Sequence, residues 1–435
     1  MILFRLVKYL EKLGLKPLTS NIFKLIKKFY SILLILPAFF LLVIIRSISL
    51  NKKKKIVSLR ISREYFGHFA IEPAMASAFF EEKSNEFILL VSLKLSRGIR
   101  NLKLEKIVKK TFKLNNDFLI SIVEHIFNWS LPLIKSLIKF YYEPFIPLFE
   151  IGRELKYNKY IFSSNTFPWR TNSQEILFKK STSKEILIAL RSHHFNQKKV
   201  PHQPWRDLSL NELKKVIEAC INIKQEEKLY CLSNKEYISK LSSNVKFSNS
   251  VIFLDEKKTD VLDFFNENTL LINNGNGIGA AAHAIGIRTF FIQHTLWHFW
   301  HTSFSNAVLL PSEFRKNNNF NKPNVNEIIS LAFSPKLPMP LNIEDNYYKR
   351  GLSIKEVSEI PNNIMQDTLK QCLVLETYKK NRKENNFLGC EFNYSTVLEK
   401  EFWKLYISNL PLEIRPFHKK ISIHISESYL NNLLK

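Results

Sequence analysis

Residues 269–293, TLLINNGNGIGAAAHAIGIRTFFIQ, run from an apolar pentapeptide through a glycine turn and an alanine-rich stretch into a second apolar run. Strand, turn, helix and strand in that order form a βαβ unit, whose crossover forces the two strands to lie parallel in one sheet. Few folds accommodate that constraint. Four of the chain's 10 glycines, Gly275, Gly277, Gly279 and Gly286, fall in this window. Glycine so concentrated marks either a backbone turn or a place where another group comes close to the chain.

The same pattern begins earlier and repeats. KIVSLRIS (55–62) reads as a buried strand, REYFGHF (63–69) as a loop, AIEPAMASAFFEE (70–82) as a helix and FILLVSL (87–93) as the next strand. A second series starts with the strand EILIALR (185–191), then a polar loop, the helix SLNELKKVIEACINI (209–223), and strands at 228–233, 251–255, 269–273 and 288–293. A helix is expected over 279–287, GAAAHAIGI, and broken helices over 119–150, where Pro132, Pro144 and Pro147 interrupt an apolar stretch. The expected architecture is α/β: two Rossmann-like domains facing across a cleft, preceded by a membrane-associated helical segment. The divisions expected are 1–50, 51–170, 171–340 and a helical extension over 341–435 that packs back on the domains. Ligands of such sheets sit at the carboxyl ends of the strands.

Composition narrows the partners. The chain of 435 residues has 64 basic against 39 acidic residues, a net charge of +25, which favours anionic partners. No aromatic-basic module suited to nucleic acid is present. Residues 29–45, FYSILLILPAFFLLVII, would span about 26 Å as a helix, short of a hydrocarbon core of roughly 30 Å. Basic residues flank both of its ends, so an interfacial insertion on the cytoplasmic leaflet is expected, helped by the amphipathic residues 1–28. A single amino-terminal anchor and a buried helix are the alternatives. Four scattered cysteines form no CxxC pair and suit a reducing compartment. Neither DxD nor HExxH occurs, so no metal site is expected; His294, His298 and His301 interleave with Trp297, Phe299 and Trp300 and read as an aromatic face.

At the end of TLLIN, the turn Asn274, Gly275, Asn276, Gly277, Ile278, Gly279 opens a helix. Free N–H groups and the helix dipole at such a place suit a phosphate or diphosphate. A tight turn without ligand is the alternative. The spacing is GxGxG, not the GxGxxG of dinucleotide-binding domains, which argues against a nicotinamide cofactor.

Taken together, several segments resemble a family of bacterial glycosyltransferases of surface-polysaccharide biosynthesis, themselves similar to two-domain GT-B enzymes such as the heptosyltransferases. They are LPAFFLLVIIRS, then KIVSLRIS, then FGHFAIEPAMA beside the family's R-x-GH-L-A, and PWRDLSLNELKKVIEAC beside its yRd and helix. NGNGIGAAAHAIGIRTFFIQ resembles the donor loop and helix, G-x-S-G and FG-x-P, with Asn276 at the serine and Arg288 at the proline. YYKRGLSIKEVSEIPNNIMQD and HISESYLNNLLK resemble the last two segments. The resemblance implies a metal-independent transferase without cofactor, acting on a nucleotide-sugar donor and a glycan or lipid-linked acceptor at the cytoplasmic face of the inner membrane. It implies donor binding by residues 274–279, with Arg191 and Arg206 as diphosphate ligands. Gly67 and His68 fall to the acceptor side, with His68 as the base. Two other classes stay open: a non-catalytic membrane-surface scaffold on the same fold, and a nicotinamide-dependent sugar-modifying enzyme.

Overall fold

The computed structural model describes residues 55–61, 66–67, 69–70, 74, 87–93, 101–111, 139–141, 184–191, 208–224, 227–294, 306–311, 314–316, 352–357, 360–409 and 420–433, together with Pro37 and Phe40. Apart from Pro37 and Phe40, both helical, the 29–45 run therefore lies outside the described residues. Among the described residues no helix is long and apolar enough to cross a membrane.

The amino-terminal strands β1 (Lys55–Ile61), β2 (Phe87–Leu93) and β3 (Lys139–Tyr141) form a parallel sheet in the order β2-β1-β3. β3 corrects the expectation of broken helices at residues 139–141; the rest of 119–150 lies outside the described residues. Phe66, Gly67, Phe69, Ala70 and Ala74 are helical, so helical backbone also occurs within the loop expected over 63–69. α1 (Leu102–Thr111) follows β2.

A seven-stranded sheet dominates the rest. It is built from β4 (Glu185–Ala189), β5 (Lys228–Ser233), β6 (Ile252–Asp255), β7 (Thr269–Asn273), β8 (Arg288–His294), β9 (Ala307–Pro311) and β15 (His424–Ile425). Every pairing in it is parallel, in the order β6-β5-β4-β7-β8-β9-β15. Numbered from β4, the order is 3-2-1-4-5-6 with β15 added, which is the doubly wound arrangement. The chain grows outward from β4 through β5 to β6, returns to the other side of β4 as β7, and grows the opposite way. The reversal lies between β4 and β7.

The side chains obey the same logic. TLLIN is buried at every position, as a strand covered on both faces requires. Ile186, Ile188, Leu270 and Ile272 point to one face, Leu187, Ala189 and Leu271 to the other. The first face is covered by α2 (Leu210–Ile223), α3 (Lys235–Ser242), α6 (Asn362–Leu373), α8 (Val397–Asn409) and α9 (Glu427–Leu433). α2 starts where Ser209 accepts from Glu212 N while the Glu212 carboxylate accepts from Ser209 N, a capping box that satisfies two otherwise open donors. The second face is covered by α5 (Gly277–Ile285), the 3₁₀ turn Val261–Phe264, α1, and Phe69, Ala70 and Ala74.

That second layer joins the amino-terminal part of the chain to the large sheet. Amino-terminal residues share a core with the large sheet, and α1 is tied to the 3₁₀ turn by Lys103, whose ammonium meets Asp260 at 3.2 Å and also Asp263. The closing segment is not purely helical. Besides α6, α7 (Leu375–Lys380), α8 and α9 it carries the hairpin β12 (Lys383–Phe387) and β13 (Cys390–Tyr394), with β14 (Lys420–Ile421) beside β13. It also supplies β11 (Leu352–Val357), which pairs with β10 (Phe314–Lys316), and β15, which closes the edge of the large sheet.

Ile272→Ala, at the centre of the sheet and 0% exposed, is expected to lower unfolding free energy by about 2–5 kcal/mol. Ser209→Ala should cost about 1 kcal/mol through the lost cap. Urea unfolding of both variants measures the two, and equal costs would contradict the assigned burial.

Candidate functional site

The reversal between β4 and β7 brings two loops together: residues 190–191 after β4 and residues 274–276 after β7. Strands that part in opposite directions leave backbone groups without ladder partners, and buried ones must find others. Three asparagines supply them. Asn273 and Asn276 both donate from Nδ2 to the Ala189 carbonyl, at 2.8 and 3.0 Å. Asn274 pairs with the backbone of Arg191 in both directions: Arg191 N donates to Asn274 Oδ1 at 2.9 Å, and Asn274 Nδ2 to Arg191 O at 3.4 Å. Asn273 is 0% and Asn274 2% exposed.

The same side chains organise the turn. Asn273 Oδ1 accepts from Gly275 N at 2.8 Å and Asn276 N at 3.0 Å, and the chain turns through Gly275 at φ 75°. Asn276 caps α5, its Oδ1 accepting from Ile278 N at 2.9 Å and Gly279 N at 3.4 Å. α5 thus begins at Gly277, two residues before the expected start, because a capped amino terminus holds Gly277 and Ile278 in helical geometry. Four N–H groups of the turn, those of Gly275, Asn276, Ile278 and Gly279, donate to carboxamide oxygens. Asn276 is half-buried at the surface of this arrangement, whereas Asn273 lies beneath it.

Two glycines are explained by close approach. A Cβ on Gly279 would fall 2.6 Å from Asn273 Oδ1, so any side chain there displaces the organising carboxamide. A Cβ on Gly277 would fall 2.8 Å from Gly67 N, and one on Gly67 only 2.6 Å from Gly277 Cα. The backbone at Phe66 and Gly67 therefore lies directly on the first turn of α5, and Phe69, Ala70 and Ala74 belong to the core shared with Ala281 and Ala282.

Of the residues expected in the site, Arg191 and 274–279 are brought together, with Gly67 against them. Arg191 is 7% exposed. His68 and Arg206 lie outside the described residues, as do His298 and His301. Among the described residues no group of three or more histidine, cysteine or acidic side chains is arranged to hold a metal ion. Asn273 was not among the expected site residues, although it organises the turn; its partner Ala189 is 84 residues away in sequence, so no local pattern announces the bond. The loop after β4, where a dinucleotide-binding domain carries its glycine fingerprint, contains no glycine between residues 190 and 208. His283, on the second turn of α5, is buried, and desolvation pushes its imidazole down to about 3 from 6.5.

A cavity of about 510 Å³ opens at the opposite end of the strands, lined by Lys184, Glu185, Asn268 and Arg288 and by the last residues of α2 and α6. Acids and helix carboxyl ends there offset the basic groups, so it offers no clear anion preference.

No family model matches the chain, and no curated protein is similar to it. Among solved structures, one from Listeria monocytogenes assigned as a UDP-N-acetylglucosamine 2-epimerase aligns over 73% of this chain and 96% of its own, at 11% identity and a TM-score of 0.29. A likeness that slight has no bearing on chemistry.

Gly277→Ala and Gly67→Ala should each destabilise the protein by about 1–3 kcal/mol, because backbone on both sides cannot yield. Thermal unfolding measures this, and an unchanged midpoint for both would mean the two segments are not in contact. Below pH 6.5 the unfolded chain protonates His283 and the folded chain does not, so this residue's contribution to stability is lost progressively as pH falls from 6.5 toward 3. The pH dependence of unfolding should be shallower in His283→Gln than in the wild type.

Proposed function

We propose that the chain binds a nucleotide-sugar at the β4/β7 reversal and transfers the sugar to a glycan or lipid-linked acceptor. The observation that carries this reading is the position of the glycine-asparagine turn. It lies at the carboxyl end of β7, where the strand order reverses, the place at which doubly wound sheets bind ligands. A diphosphate oxygen arriving there takes the place of Asn276 Oδ1 on the N–H groups of Ile278 and Gly279. Asn276 is the asparagine of the turn with room to move, and the α5 dipole favours the exchange. Arg191, whose backbone is held by Asn274, is assigned to the diphosphate through its guanidinium.

In the proposed reaction an acceptor hydroxyl attacks the anomeric carbon, the bond from that carbon to the diphosphate oxygen breaks, and the diphosphate leaves as an anion held by the turn. The acceptor proton passes to a base; His68, next in sequence to Gly67, is assigned that role, and Arg206 a place at the diphosphate. The reaction uses neither metal nor cofactor. The net charge of +25 and the apolar 29–45 run support a location at the cytoplasmic face of the membrane, where lipid-linked acceptors are found.

One observation favours a second reading, a non-catalytic scaffold on the same fold: four of the turn's N–H donors are already satisfied by its own asparagines. Isothermal titration with UDP and other nucleoside diphosphates separates the two. On the transferase reading at least one binds, Arg191→Ala weakens it about tenfold, and Asn276→Ala leaves affinity equal or higher while stability falls by about 1 kcal/mol. Folded protein that binds no nucleoside diphosphate at millimolar concentration leaves only the scaffold.

A further inference from the structure

Far from the strand reversal, the closing segment buries a second polar cluster, formed by Tyr378 and Lys379 of α7, Arg382 just after it, Glu399 of α8, His424 of β15 and Glu427 of α9. α6 holds this segment in place: Gln371 Nε2 donates to Ile425 O and Gln371 Oε1 accepts from Glu427 N, each at 3.1 Å. Glu399 is 3% exposed, and its two oxygens accept from Ser395 N at 2.7 Å and Ile425 N at 3.2 Å. Tyr378 donates to Glu427 at 3.2 Å, and Lys379 binds Asn306 and, at 2.9 Å, Glu376.

Two members are left over. His424 is 0% exposed, and neither ring nitrogen has a hydrogen-bond partner; Nδ1 is 3.8 Å from Glu399 Oε1, beyond hydrogen-bond reach. Arg382 has two buried donors without partners, Nε and Nη2. Those two N–H groups share one edge of the guanidinium, the edge that takes a carboxylate or phosphate side-on through two parallel bonds. Among the described residues no carboxylate is in ion-pair contact with that edge. Buried donors without partners are costly, so a paired fork and a neighbouring imidazole call for an acceptor that the chain does not supply.

We propose that Arg382 and His424 form a binding site for a small oxyanion, a carboxylate or a tetrahedral oxyanion of the phosphate type, taken by the Arg382 edge and hydrogen-bonded by the His424 ring. Lys379 adds positive charge, and Glu376, Glu399 and Glu427 oppose it. The balance depends on Glu399, whose carboxyl is driven up to about 7 by burial. Below that pH it is largely neutral and no longer opposes the anion. Above it the carboxylate ionises and repels the anion. His424, kept neutral by burial and by the Arg382 and Lys379 charges, gains proton affinity when an anion arrives. Binding therefore takes up protons and strengthens as pH falls through 7.

Calorimetric titration of the full chain with sodium sulfate and with sodium acetate tests the site, because neither probe changes charge near neutrality. Binding of sulfate identifies a tetrahedral oxyanion, and binding of acetate a carboxylate. In either case Arg382→Lys, which keeps the charge and removes the fork, should weaken it about tenfold or more without altering binding of nucleoside diphosphates. Wild-type affinity should rise on moving from alkaline to mildly acidic pH. Failure of both probes at tens of millimolar, or equal affinity in Arg382→Lys, overturns the proposal. Should that variant not fold, a wild-type affinity that does not vary with pH overturns it equally.

Discussion

Two carboxamide bonds to a single carbonyl, Asn273 and Asn276 to Ala189, fix the geometry of everything around the strand reversal. The sheet changes direction between β4 and β7, and that leaves the carbonyl at the end of β4 without a ladder partner. Once Asn273 is held there, its oxygen collects the N–H groups of Gly275 and Asn276 and shapes the turn. Once the turn is shaped, Asn276 caps α5, Gly279 must be bare because Asn273 lies against it, and Gly277 must be bare because Gly67 does. The glycine concentration is thus a consequence of close packing around one organised loop, and not of flexibility.

That dependence explains what could be foreseen. β2, β5 and β7 have the expected boundaries, because short apolar runs with polar flanks mark strands in a sheet covered on both faces. The capping box at Ser209 is likewise a local pattern. What escaped was non-local or very short. β3 has three residues and β15 two, too few for any period, and their pairing with β1 and β9 supplies the stability that propensity does not. α5 begins on Gly-Ile-Gly, poor helix formers, because a side-chain cap and a neighbouring backbone hold it. Arg191 and residues 274–279 were legible as a candidate site because glycine, asparagine and arginine are conspicuous at strand ends. Asn273 was not, since an asparagine in a turn normally signals only the turn.

The Arg382–His424 cluster was illegible for a different reason. Its members come from α7, α8, β15 and α9 and its immediate surroundings, and no two of the principal pair lie within one motif. Only the return of the carboxyl-terminal segment to the sheet edge gathers them. A chain that reserves its last residues for the sheet can place groups there that folding itself must assemble, and the site is absent until β15 has docked.

Both places share a choice about charge. Aspartate caps a helix as well as asparagine does, and the dipole at a helix amino terminus would favour its negative charge. Yet Asn273, Asn274 and Asn276 are all carboxamides, and among the described residues no carboxylate accepts from the turn. Neutral acceptors satisfy the donors while leaving the field of α5 uncancelled, so the turn is stable alone and still attractive to an anion. Around Arg382 burial achieves a similar end, since Glu399 near its titration point does not fully neutralise the guanidinium. In a chain of net charge +25, positive field is abundant; what these two arrangements add is a fixed direction in which donors and field point together.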